Sequence, residues 1–282
     1  MDMQTPEHEK QYRIIHALLD CVLAVGVIII LSLVAGMLSA FTKTGLAMRI
    51  ETAGVINILA FGTVLLLRRK SWLPWLGKWF SVPENPGGTL LSIVLTAAGF
   101  GIVLSQIDNM LRPVIGDSAL YEILDRILDQ PALSVFIFVG IVAPFSEEIF
   151  FRGYIFMRLR GSISKPTAII AASLMFGIFH LNPSQMIAGF LTGLVLCYLT
   201  ESSGGIFYSV IFHAVFNSLP FLFIMLNVSI DGYTEAGPGL YQPFWFTAVG
   251  FLLTTAGVFS LSHSLKFRRD EADLETGDPG DG

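Results

Sequence analysis

PALSVFIFVGIVAPFSEEIFFRGYIFM, residues 131–157, is apolar over a length that can cross a hydrocarbon core, yet its second half carries Glu147, Glu148 and Arg152. One crossing takes about 20 mainly apolar residues. A helix apolar on all sides lies inside a large core or in lipid. Ionisable side chains in hydrocarbon are costly, so they face a bundle interior or a water-filled cavity and mark a functional site by default. The segment reads as a membrane helix turned toward other helices.

The rest of the chain agrees. Of 282 residues, 53% are hydrophobic and 14% charged, against about 25% charged in a soluble domain. Mean hydropathy is +0.68. Seven further apolar stretches appear, at 15–41, 53–67, 89–107, 166–180, 183–200, 206–226 and 244–265, the second and fifth of the eight being short. The fold class is all-α: a polytopic membrane protein of about eight transmembrane helices, with a polar site between spans 4, 5 and 7. Residues 15–265 form one membrane domain, with 131–226 as its motif-bearing core. Residues 1–14 form an N-terminal cytoplasmic segment and 266–282 an acidic, disordered cytoplasmic tail. The run at 21–41 exceeds a signal-peptide h-region, so the first span is expected to stay. Residues 118–130 carry an apolar stripe and read as an amphipathic interfacial helix or a packed connector. Trp72, Trp75 and Trp79 beside Arg68, Arg69, Lys70 and Lys78 suit an interfacial belt.

Lysine and arginine set the orientation. With both termini cytoplasmic, the inner segments hold Lys10, Arg13, Arg68, Arg69, Lys70, Lys78, Arg158, Arg160, Lys165, Lys266, Arg268 and Arg269; the outer loops hold Lys43, Arg49, Arg112 and Arg126. No basic face exists for nucleic acid. Cys21 and Cys197 lie in apolar runs and read as small core residues. Gly189 and Gly193 form a small-xxx-small pair for close helix packing.

The polar groups at membrane depth are Glu147, Glu148, Arg152, His180, His213 and Asn217. Glu148 and Arg152 stand i, i+4 with the acid first, the favourable order for an ion pair. Glu147 is turned about 100° away and stays available. His213 and Asn217 share a face. Gly153 leaves room for another backbone. At ~1.5 Å per residue, these groups lie roughly 10–20 Å from the inner helix ends, which allows one shared cavity in the inner half of the membrane, open toward the cytoplasm.

Two chemistries fit. Glu147, His180 and His213 could hold Zn²⁺ or another divalent metal with an open water position. Alternatively, Glu147 with one histidine acts as a metal-free general base on water. His213 and Asn217 offer N–H donors to an oxyanion. Either suits amide hydrolysis. The sequence holds no Ser-His-Asp or Cys-His set, no Gly-rich phosphate loop and no His-Glu-x-x-His helix. An intramembrane His or Asn more often bonds helix to helix, but a carboxylate beside one already paired needs its own partner or a proton.

Three motifs occur in order: Glu147-Glu148-Ile-Phe-Phe-Arg152, Phe176-Gly-Ile-Phe-His180 and His213-Ala-Val-Phe-Asn217. In this the chain resembles the CAAX-protease and bacteriocin-processing family of intramembrane proteases, over about residues 131–226. The resemblance implies an intramembrane endopeptidase acting on a membrane-associated protein or peptide, prenylated or bearing a leader, in contact with the lipid bilayer. It implies that Glu147 and His180 activate water, that His213 and Asn217 form an oxyanion site with His213 also a candidate metal ligand, that Glu148 and Arg152 shape and balance the site, and that Phe176 walls the cavity. Compact size points to a bacterial or archaeal cell membrane. The rival expectations are a non-catalytic scaffold or bacteriocin-immunity protein, and a proton-coupled transporter, although no repeat relates the two halves.

Overall fold

Apolar runs bounded by turn residues become eight long helices in the computed structural model, which describes residues 7–43, 45, 49–80, 87–115, 130–235 and 239–276. They are α1 Glu7–Thr42, α2 Ile50–Leu67, α3 Gly87–Ile115, α4 Ala132–Arg160, α5 Lys165–Phe179, α6 Pro183–Ser203, α7 Phe207–Met225 and α8 Phe244–Thr276. Beyond one isolated bridge between Asp231 and Glu235, the described residues hold no strand. Seven helices are long and apolar enough to cross a membrane; α5, with 15 residues, falls short. The protein is thus an all-helical polytopic membrane protein, with seven full-length spans and one short apolar helix among the eight expected. Short turns at Arg69–Trp72, Leu73–Trp75 and Leu76–Trp79 follow α2. The stretch expected at 118–129, Arg126, residues beyond Thr276, and the side chains of Trp75, Lys78 and 265–276 lie outside the described residues. The backbone of α8 continues past residue 265 to Thr276, into the stretch expected to be a tail.

Two sequence features stop α5 and start α6. Leu181 sits at φ 59°, a left-handed conformation that turns the chain. Asn182 then caps α6, its side-chain oxygen accepting from the N–H groups of Ser184 and Gln185, and Pro183 occupies the first turn, where no N–H is needed. The resulting hairpin is tight. A Cβ on Gly177 would lie 2.5 Å from the Met186 carbonyl oxygen, and one on Gly193 would lie 2.9 Å from the Ser173 Cα. Gly193 therefore does what its small-xxx-small spacing predicts.

The irregular helix is α4. It is π-helical over Phe138–Val142 and Ile149–Phe156, on either side of an α segment, Ala143–Glu148. Pro144 accounts for the first irregularity. The Gly140 carbonyl in an α register, or the Val139 carbonyl in a π register, would accept the N–H of residue 144, which proline lacks. Asn217 and Ser218 on α7 take up both: Asn217 Nδ2 donates to the Val139 oxygen and Ser218 Oγ to the Gly140 oxygen, each at 3.1 Å. The proline thus ties α4 to α7 at the level of the carboxylates. An aromatic core of Phe61, Phe150, Phe151, Phe176 and Phe212, all nearly solvent-free, surrounds the junction.

Candidate active site

Glu148 and Arg152 are fully enclosed and paired as their spacing predicts, Arg152 Nη1 donating to Glu148 Oε1 at 2.9 Å. The same oxygen accepts from His213 Nδ1 at 2.9 Å. A carboxylate only accepts, so Nδ1 carries the proton and the other ring nitrogen, Nε2, points elsewhere. Nε2 lies 3.7 Å from Glu147 Oε2. That is too long for a direct hydrogen bond. Both atoms are acceptors, and a water set beside the line that joins them, about 2.8 Å from each, could donate to both.

His180 follows the last residue of α5, where carbonyls lack helical partners. Its Nδ1–H donates to one of them, Phe176 O, at 2.9 Å, which again leaves Nε2 free to accept. Gly189 of α6 makes room for the ring: a Cβ there would lie 3.3 Å from His180 Nδ1. Phe176 stands between the histidines, edge-on to His180 at 4.9 Å and to His213 at 5.6 Å. The Arg152 guanidinium lies over the same ring at 4.2 Å.

Glu147, Phe176, His180, His213 and Asn217 all line one cavity of about 440 Å³. Glu148 and Arg152 stand behind its wall. Four expectations change. The imidazole nearest Glu147 is His213, and among the described residues Glu147 makes no ion pair or hydrogen bond with His180. α3 and α6 line the cavity as well as α4, α5 and α7, through Ser105, Asp108, Ser184 and Thr192. The cavity also does not extend toward the arginine-rich end of the bundle: it is lined by the last half of α3, the first half of α4, the last half of α7 and Tyr233, at the end opposite Arg68, Arg158 and Arg160. Gly153 accommodates not a backbone but an indole, since its Cβ would lie 2.8 Å from Trp79 Cε2.

Several polar groups escaped the sequence reading. Asp108 and Arg112 lie past residue 107, the expected end of their span, although Met110 and Leu111 continue the apolar pattern. The Thr192 and Tyr233 hydroxyls line the cavity buried and without a hydrogen-bond partner among the described residues; burial pushes the Tyr233 phenol well above its ordinary pKa. Asp20, a lone acid inside the first apolar run, is fully buried. A charge in such a run was signal enough.

As a metal site, the donor chemistry is suggestive, because each imidazole has Nδ1 held and Nε2 free, the way metal-bound histidines are oriented. Among the described residues, however, no group of three His, Cys, Asp or Glu converges on a common point. No step below is routed through a metal.

The Rce1-like family model, described as type II CAAX prenyl endopeptidase Rce1-like, matches residues 129–219. No curated protein and no solved structure matches the chain.

Proposed function

We propose that this protein is an intramembrane endopeptidase that hydrolyses a peptide bond of a membrane-associated protein or peptide in the cavity beside Glu147, a reading supported by the match of residues 129–219 to the model of a protease family. The observation that carries the reading is the gap between Glu147 Oε2 and His213 Nε2, 3.7 Å wide, at the wall of a cavity that also holds His180. A water there gives its proton to the Glu147 carboxylate as its oxygen attacks the scissile carbonyl carbon. Glu148, already neutralised by Arg152, holds the His213 ring in place. The second N–H of Asn217 Nδ2, the first being bonded to Val139, is available to the oxyanion. His180 Nε2 completes the polar wall as a second acceptor for the water. When the tetrahedral intermediate collapses, the C–N bond breaks and the proton held by Glu147 passes to the leaving amine. The unpaired Thr192 and Tyr233 hydroxyls offer hydrogen bonds to the substrate backbone.

If the arginine-rich end is cytoplasmic, substrate enters from the opposite face. A lipidated or leader-bearing peptide suits the largely apolar wall. Purified protein in nanodiscs should cleave a fluorogenic prenyl-peptide or leader-peptide panel, and Glu147→Gln and His180→Ala should abolish cleavage while the protein stays folded. Turnover unchanged in both variants overturns the reading and favours a binding protein. Metal analysis of the same preparations tests coordination by His180, His213 and Glu147: stoichiometric metal lost in His180→Ala and His213→Ala supports it, and full activity without metal supports glutamate alone.

A further inference from the structure

A second cavity, of about 410 Å³, lies at the other end of the bundle, lined by Tyr12, Arg13, Ser71, Trp72 and Arg158 with the glycines Gly153 and Gly161. Its charge balance is distinctive. The nearby Asp20 carboxylate is fully occupied: Arg68 Nε donates to one oxygen at 2.9 Å and the Tyr154 hydroxyl to the other at 2.6 Å. The Asp20 bond holds the Arg68 guanidinium above its ordinary pKa. Among the described residues the hydrogen bonds of Arg158 go to neutral oxygens, its Nη1 donating to Tyr154 Oη and its Nε to the Arg13 carbonyl, each at 3.1 Å. The Arg13 guanidinium lies over the α4–α5 turn, where a Cβ on Gly161 would be 3.2 Å from its Nη1. Among the described residues no acid lines the cavity. Two arginines, a serine hydroxyl and two aromatic rings thus bound a space of ligand size.

We infer that this second cavity binds a phosphate group, that of an acidic phospholipid headgroup or of a small phosphate ester, on Arg158 and Arg13. Guanidinium forks match phosphate oxygens in geometry and charge. The cavity lies at the arginine-rich end of the bundle, the end that the lysine and arginine bias directs toward an acidic cytoplasmic leaflet, and Tyr12 and Trp72 are residues of the interfacial level. Gly153, which also lines this cavity, is next to Arg152 on the π-helical segment that follows Glu147 and Glu148.

The test uses the full chain in neutral detergent. Unfolding midpoints are measured with dioleoyl phosphatidylglycerol, dioleoyl phosphatidylcholine or glycerol 1-phosphate. Phosphatidylglycerol should raise the midpoint more than phosphatidylcholine. The rise should be lost in Arg158→Gln and kept in Arg69→Gln, an exposed control on the same face. Ser71→Glu places a carboxylate at the exposed rim and should abolish the rise even if Arg158→Gln does not fold. A rise with glycerol 1-phosphate, lost in the same variants, assigns a soluble phosphate ester instead of a lipid. Equal rises with both lipids, a rise that survives Ser71→Glu, or no rise with phosphatidylglycerol or glycerol phosphate overturns the inference.

Discussion

Replacing Arg152 with Met should be far more damaging to stability than neutralising the neighbouring Glu147, although both remove one charge from the same helix. Arg152 and Glu148 have side-chain exposures of 1% and 0% and meet at 2.9 Å. With charge centres about 4 Å apart, such a pair attracts by roughly 4 kcal/mol at an effective dielectric near 20. The guanidinium over Phe176 adds about 1–2 kcal/mol where water is excluded. Removing one partner of a buried pair costs ~3–5 kcal/mol, because the survivor is left charged or must take up a proton. At ~2–4 °C per kcal/mol for a chain of this order of size, the midpoint should fall by about 6–20 °C. Glu147 has no such partner, and its carboxylate faces the cavity with 13% exposure. Glu147→Gln should change stability by less than about 1 kcal/mol. The assay is thermal unfolding in one detergent of wild type, both single variants and the double variant Glu148→Gln with Arg152→Met, which leaves no orphaned charge and should recover much of the loss. The reasoning is refuted if Arg152→Met unfolds at the wild-type temperature, or if Glu147→Gln falls as far as Arg152→Met.

Glu147→Gln should nonetheless lower kcat by about 10²–10⁴-fold, the range of a lost general base, as read on a fluorogenic peptide. Gly189→Ala should keep the fold but shift the His180 ring by tenths of an ångström, lowering kcat by about tenfold or more with KM little changed. Gly153→Ala should displace Trp79, cost about 1–3 kcal/mol and shift tryptophan emission. Tyr154→Phe removes the donor to Asp20 and should cost about 1.5–3 kcal/mol, measured by thermal unfolding. Gln185→Cys at the cavity and Ser71→Cys at the opposite end should label from opposite sides of intact cells with an impermeant maleimide; labelling from one side contradicts the antiparallel arrangement of the helix ends.

Composition alone determined the all-helical membrane architecture, because eight apolar runs have no stable alternative in lipid to hydrogen-bonding their backbones within themselves. Local spacing also determined the Glu148–Arg152 pair, since i, i+4 neighbours meet on any near-regular helix. The pairing of Glu147 with His180 came from the family resemblance, and the depths counted along regular helices asked only that these groups share one cavity. That count cannot see the π segments around Pro144, which re-aim α4, nor the Asn217 and Ser218 side chains that satisfy its freed carbonyls. Only the packing of α4 against α7 placed His213 between the two glutamates, one ring nitrogen at 2.9 Å from Glu148 and the other at 3.7 Å from Glu147. The direction in which the cavity extends was likewise tertiary, because it depends on which ends of five helices splay apart. Sequence period fixes which face of a helix is polar; the rotation and height of that face against its neighbours come from side chains far away in the chain.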